Sequence, residues 1–253
     1  MIDTHCHLQD EPLCHDVPAV LARARAAGVE AFVVPGVDED SSRAALALAG
    51  AHADVWAAVG LHPWRVAAGL AVDLERLREL AAAPRVVALG EIGLDGALVE
   101  PNLVAQREAL RVQVELARDL DLPVLIHSRG ATDQLLDVLG GARRHDPGVL
   151  HSFGGSAETA HELVRRGWVL GVGGVVSRPW SKRARAAIAS VPLEYLVLET
   201  DAPWIGTRLV PKGAVEPCHL PEIRAALAEL KGVDEETVER TTTAMSRRVL
   251  GLA

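Results

Sequence analysis

Eight short apolar runs recur along this chain with longer amphipathic stretches between them, and that alternation restricts the fold more than any other feature. The runs are IDTHCH from Ile2, AFVVPGV from Ala31, VWAAVGLH from Val55, VVALGEIG from Val86, PVLIHSR from Pro123, GVLHSF from Gly148, WVLGVGG from Trp168 and YLVLETD from Tyr195. Between them, PAVLARARAAG, SSRAALALAGAHA, LERLRELAAA, LVAQREALRVQVELARDL and TAHELVRRG space leucines and alanines three and four apart, as an amphipathic helix requires. Strands joined by helices predict a parallel sheet, because a parallel pair needs a long crossover. Eight such units within 253 residues fit a (β/α)8 barrel, one domain over residues 1–253, better than a doubly wound sheet. The tail adds two helices, PEIRAALAEL and DEETVERTTTAMSRRVL, the second with Asp234 as N-cap and Glu235 and Glu236 in its positive first turn.

Composition narrows the class. A 49% hydrophobic content supplies one large core, and a net charge of −8 argues against a surface that grips nucleic acid all round. Cys6, Cys14 and Cys218 lack metal-finger spacing and are too few for a disulfide framework, which points to a reducing compartment. With no secretory leader pattern and no apolar run of membrane-spanning length, a cytoplasmic protein without membrane contacts is expected.

The polar residues carry the functional signal. Barrel strands are filled with apolar side chains, so an imidazole or carboxylate at a strand end needs a reason. His5 and His7 end the first run, Glu91 the fourth, His127 the fifth, His151 the sixth and Asp201 the eighth, with His62 just after the third. Parallel barrel strands place their carboxyl ends on one rim, so these side chains converge. Four histidines and two carboxylates suit one or two divalent cations, imidazole favouring zinc, nickel or iron and carboxylates admitting manganese or magnesium. Alternation along a strand points His5 and His7 the same way and turns Cys6 outward. It also puts Asp3 on the histidine face, as a candidate partner fixing an imidazole tautomer, and Glu199 on the face of Asp201, where it could bond a ligand, hold water or contact metal. His62 is followed by Pro63, which makes a turn, so it serves either as a ligand or as a substrate contact. His15, His52, His145, His161 and His219 fall on helices or loops without such placement.

The segments THCHL, GLHPW, GEIGLD, LPVLIHSR, HSFGGS and LETDAPW, in this order, resemble the TatD-type metal-dependent deoxyribonucleases of the amidohydrolase superfamily, from Ile2 to Leu250. The resemblance implies a 3′ to 5′ exonuclease with two divalent ions. His5, His7, Glu91 and Asp201 would hold one, Glu91, His127 and His151 the other, with Glu91 as the bridge. It implies hydrolysis by a metal-activated water, Asp201 as proton acceptor, and His62 and Arg129 facing the scissile phosphate. Asp95 would either take part or orient a neighbouring ligand. The glutamate bridge, where relatives outside the family often use a carboxylated lysine, favours phosphodiester over amide chemistry. This chain departs from the family pattern at Gly96, where an aromatic is usual, and at Val215 and Met245, where asparagines are usual. Those changes touch substrate loops and helix packing, so they bear on the substrate more than on the chemistry.

Substrate clues lie in the same loops. Arg129, Arg178, Lys182, Arg183, Arg185, Arg208 and Lys212 form either a basic crescent that draws phosphates inward or ordinary solvated charge. Trp64, Trp180 and Trp204 either stack on unpaired bases or pack over the barrel mouth. DNA ends are the expected substrate. An amide, lactone or phosphotriester hydrolase of the same superfamily and a metal-bound interaction protein are the rival readings.

Overall fold

The computed structural model describes residues 1–139 and 148–252. His145 lies outside the described residues. Every apolar run contains a strand: β1 Ile2–Asp3, β2 Ala31–Pro35, β3 Val55–Val59, β4 Val86–Asp95, β5 Val124–Arg129, β6 Gly148–Leu150, β7 Val169–Val172 and β8 Leu196–Leu198. They form one eight-stranded sheet in chain order, and each pairing described is parallel. The helices are α1 Val17–Ala26, α2 Glu39–Ala51, α3 Pro63–Ala67, α4 Leu74–Ala81, α5 Leu103–Asp119, α6 Thr132–Leu139, α7 Ala157–Arg165, α8 Lys182–Ser190, α9 Leu220–Lys231 and α10 Glu235–Leu250. The expected tail is present, with Asp234 accepting the Thr237 N–H at 2.7 Å as the N-cap of α10. Helices α6 and α8 follow β5 and β7 as the eight-unit pattern requires, in stretches not singled out by their periodicity, and α3 is a short addition after β3. Among the described residues, no helix is long and apolar enough to cross a membrane.

The residues divide into two compact units, 1–34 with 151–252, and 35–150. In the first unit, regular strand β1 stops at Asp3, but extended pairing continues. Thr4 N–H donates to Leu198 at 3.1 Å, Asp201 N–H to His5 at 2.8 Å and His7 N–H to Ala202 at 2.8 Å. Fully buried Asp3 locks this ladder by accepting the Thr200 N–H at 2.9 Å, the Thr200 hydroxyl at 2.6 Å and the His5 N–H at 3.3 Å. Asp3 therefore braces backbone and a hydroxyl.

In the second unit, β4 and β5 run closely together. Gly93 has φ +146°, and a side chain there would run into the carbonyl of His127. Gly96 is similarly constrained, since a Cβ would come within 2.5 Å of the Gly130 carbonyl oxygen. An aromatic at position 96 is excluded by that approach unless the backbone of Gly130 moves.

Helix α5 supplies the unit's main polar brace. Gln106 and Gln113, seven residues apart and hence two turns along one face, are both buried. Gln113 accepts the Leu61 N–H at 2.8 Å and donates to the Leu61 carbonyl at 3.1 Å. Gln106 does the same for Asp95, at 2.8 Å and 3.1 Å. Gln113→Leu strands the N–H and C=O of Leu61, so we expect a loss of about 2–5 kcal/mol. Urea unfolding checks this as a lowered midpoint with an unchanged slope.

Candidate metal centre

In the first unit, three imidazoles and two carboxylates gather where β1 and β8 run on past their regular ends. His5 Nε2 and His7 Nε2 are 3.2 Å apart, and Asp201 Oδ1 lies 3.4 Å from His7 Nε2 and 3.9 Å from His5 Nε2. All three residues are buried. The common direction of the two imidazoles follows the alternation expected, and Cys6 turns away, its thiol 3.7 Å from the Val33 carbonyl. Burial by itself would raise the Asp201 carboxyl. A hydrogen bond from His7 and the positive potential of His151, His5 and His7 outweigh it and hold the group below the usual carboxylate value. Asp201 reaches this position with φ +50°, a left-handed conformation that aspartate adopts more readily than most side chains.

His151 follows β6 directly and stacks on His5, ring centroids 4.0 Å apart and planes at 17°. Its Nδ1 lies 3.3 Å from Glu199 Oε1, and Glu199 is fully buried. Two sets in this unit, His5 with His7 and Asp201, and His5 with His151 and Glu199, each bring donor atoms within 4.8 Å of one another. Such spacing fits a divalent cation, and the nitrogen-rich donor sets suit zinc or nickel better than calcium.

In the second unit the same density of donors surrounds Glu91. His62 Nε2 is 3.3 Å and His127 Nδ1 is 3.1 Å from Glu91 Oε1. The other nitrogen of His127 is 3.2 Å from Asp95 Oδ2. Asp95 is buried. Desolvation would raise its carboxyl, yet hydrogen bonds from His127, Trp64 and Ala97 hold it down at about 2. A permanently ionised Asp95 keeps the proton of His127 on Nε2 and leaves the Nδ1 lone pair beside Glu91, the arrangement of a metal-ligating histidine. His62 behaves differently. Its Nδ1 accepts the Trp64 N–H at 3.1 Å, so a neutral ring carries its hydrogen on Nε2 and points it at Glu91. His127 and Glu91 thus fit cation ligation, and His62 fits a hydrogen-bond donor.

The expected substrate contacts are at the surface. Arg129 ends β5 exposed. Trp64 is 46% exposed, with its indole N–H fixed on Asp95 at 2.7 Å. Trp204 is 40% exposed, its indole N–H donated to Asp10 at 2.8 Å and the Lys212 ammonium 5.4 Å from its ring centroid. Two members of the basic crescent serve the backbone instead. Arg178 donates to the Gly206 carbonyl and Arg185 to the Val176 carbonyl, both at 2.5 Å. Lys182, Arg183, Arg208 and Lys212 remain exposed. The bracing glutamines Gln106 and Gln113 escaped notice in the sequence, though two polar residues on the apolar face of one amphipathic helix were the available signal.

Parallel βα units carrying imidazole and carboxylate sets past the ends of β1, β6 and β8, and within β4 and β5 at Glu91 and His127, define a metal-dependent hydrolase of the (β/α)8 class. A family model described as TatD related DNase matches residues 2–251, and the chain belongs to that family. The crystal structure of YjjV, a TatD homolog from Escherichia coli K12, matches with a TM-score of 0.94 at 35% identity, covering 100% of this chain and 98% of that one. An alignment with the sequence of YjjV, described as an uncharacterized metal-dependent hydrolase, gives 42% identity over 80% of this chain and 79% of that protein. The 3′-5′ ssDNA/RNA exonuclease TatD of Cronobacter turicensis is 36% identical over 98% of this chain and 97% of its own length.

Because Asp95 fixes the proton on His127, Asp95→Asn should weaken divalent-cation affinity about 10–100-fold while leaving the protein folded. Competition against a chelator of known affinity measures the loss, and unchanged affinity would remove Asp95 from the centre.

Proposed function

We propose that this chain is a single-domain, cytoplasmic phosphodiester hydrolase that uses two divalent ions to remove nucleotides from the 3′ ends of single-stranded or frayed DNA. The observation that carries this reading is that each unit holds a ligand set of its own, His5–His7–Asp201 in the first and Glu91–His127 in the second, with a carboxylate close to imidazole nitrogen in each. As the family resemblance implies, His151 would be a ligand of the second ion and Glu91 a ligand of both. Divalent ions in such sites lower the pKa of water toward neutrality and offset the charge of a phosphodiester in displacement. The activity named for the Cronobacter relative supports the substrate class.

The chain's own groups supply the rest. Asp201, kept ionised by its imidazole neighbours, takes the proton of the attacking water. His62 offers its Nε2 hydrogen to a phosphate oxygen, and Arg129 adds paired guanidinium hydrogen bonds. Trp64 and Trp204, both pinned through their indole N–H, present ring faces on which unpaired bases stack, worth about 1–3 kcal/mol per base. Lys212, with its ammonium 5.4 Å from the Trp204 ring centroid, would pair with the phosphate next to a stacked base. The Glu91 carboxylate and these exposed cations favour phosphodiesters over amides or lactones.

A labelled oligonucleotide, offered linear, circular and as blunt duplex, tests the proposal. Shortening of the linear single strand from its 3′ end, with the circle intact, is the expected result. Efficient cutting of the circle, or amide or lactone hydrolysis without DNA cleavage, would overturn it. Exhaustive chelation should abolish activity and added Mn²⁺ or Mg²⁺ restore it, with metal removal verified by elemental analysis. Glu91→Gln should lower the occupancy of both ions together. Lys212→Ala and Arg129→Ala should each reduce the slope of log affinity against log salt by about 0.7 for single strands.

A further inference from the structure

We propose that Glu199 is a positioning residue for the metal centre. Its carboxylate, 3.3 Å from His151 Nδ1, would accept the Nδ1–H and so hold that imidazole in the tautomer that leaves the Nε2 lone pair for a divalent cation. The inference rests on the metal-hydrolase reading above and deepens it by one residue.

The geometry points there from four sides. Glu199 is fully buried, two residues before Asp201, in a place where an ionisable group needs hydrogen-bond donors. Its Oε1 meets two nitrogen groups from consecutive residues, the Ser152 N–H and, at 3.3 Å, Nδ1 of His151. The chain turns sharply there, with Ser152 at φ +46°. On its other side the carboxylate fills the space above Gly171, where any Cβ would collide with Oε2. Oε2 itself is buried and accepts no hydrogen bond from the described residues. The plane of His151 is set separately, by stacking on His5 at 4.0 Å. Stacking fixes where the ring lies, but it is indifferent to which nitrogen carries the proton. Only a group at the ring edge decides that, and Glu199 is such a group at Nδ1.

A neutral imidazole has one N–H and one lone pair, so an acceptor at Nδ1 commits Nε2 to ligation. Histidines that ligate metals are commonly oriented this way by a carboxylate, and loss of such a partner typically costs 10–100-fold in metal affinity. His127 and Asp95 show the mirror arrangement in the second unit, where the carboxylate holds Nε2 and frees Nδ1. The rival role for Glu199 is as a ligand itself, since its oxygen, His5 and His151 lie within 4.8 Å of one another.

The test uses the full chain and the variants Glu199→Gln, Glu199→Ala and Gly171→Ala. Nitrogen NMR of ring-labelled histidine in metal-stripped protein reads the His151 tautomer, and chelator competition with Zn²⁺ or Mn²⁺ reads affinity and stoichiometry. In the unsubstituted protein His151 should carry its proton on Nδ1. Glu199→Ala should mix the tautomers and weaken one ion by about 10–100-fold, with the number of ions at saturation unchanged. Glu199→Gln, which keeps an acceptor oxygen, should retain the tautomer and lose less. Gly171→Ala crowds the carboxylate without removing it and should resemble Glu199→Ala. A proton on Nε2 in the unsubstituted chain overturns the proposal, and so does the loss of one whole ion at saturation in Glu199→Gln, which would make Glu199 a ligand. The unsubstituted chain and Glu199→Gln decide the matter even if the alanine variants do not fold. Neither readout involves nucleic acid, so the proposal stands or falls independently of DNA cleavage.

Discussion

The buried carboxylate of Asp3 is the constraint on which the first unit's metal ligands depend. It accepts hydrogen bonds from the backbone and hydroxyl of Thr200 and from the backbone of His5, tying the chain's first residues to the segment beyond its last strand. Burial pushes its carboxyl up to about 7 despite those hydrogen bonds, with the nearby Glu199 charge adding to the rise. A group this unfavourable persists because it does what an apolar residue cannot. It registers His5 and His7 against Asp201 across the ladder of backbone hydrogen bonds that continues where regular strand geometry has ended. Placement of the imidazoles is therefore a matter of strand register, and a slip of one residue would turn Cys6 inward in their place.

Much of this was legible in the sequence, for physical reasons that differ by element. The eight strands could be read because each is a short apolar run bounded by amphipathic periodicity, and the Asp234 cap because an acidic residue before a helical run has a mechanism. The ligand residues stood out because imidazoles and carboxylates at strand ends conflict with a buried environment. Helices α3, α6 and α8 could not be read in the same way. α3 has five residues, too few to show a period, α6 has only eight, and the nine of α8 are almost all small or charged.

Partnerships were harder to read than residues. Asp3 and Glu199 share faces with ligands, yet alternation alone could not say that Asp3 would hold Thr200 while Glu199 lay beside His151. Likewise the spacing of GLHPW left His62 between two roles. The Trp64 backbone N–H on its Nδ1 decides between them, a contact set by the first turn of α3. Charge patterning offered Arg178 and Arg185 either as phosphate contacts or as solvated charge, and both instead donate to backbone carbonyls, Arg178 to Gly206 beyond the last strand and Arg185 to Val176 in the loop before its own helix. Position relative to a strand survives translation from sequence to structure, while the destination of a long flexible side chain does not.

The two glutamines of α5 extend this logic. A primary amide presents one donor and one acceptor side by side, as a peptide group does, so Gln106 and Gln113 act on Asp95 and Leu61 as a neighbouring strand would. The residues they grip stand at the thresholds of two loops, immediately before His62 and at the end of β4. Each loop is thus anchored at its root by a helix instead of by its own sequence. The segments beyond the residues that hold His62 and Asp95, through 68–73 and 98–102, are thereby released from any duty to hold the chemistry in place. Over evolutionary time they can lengthen, shorten or exchange side chains to suit new substrates, and the groups at their roots need not shift.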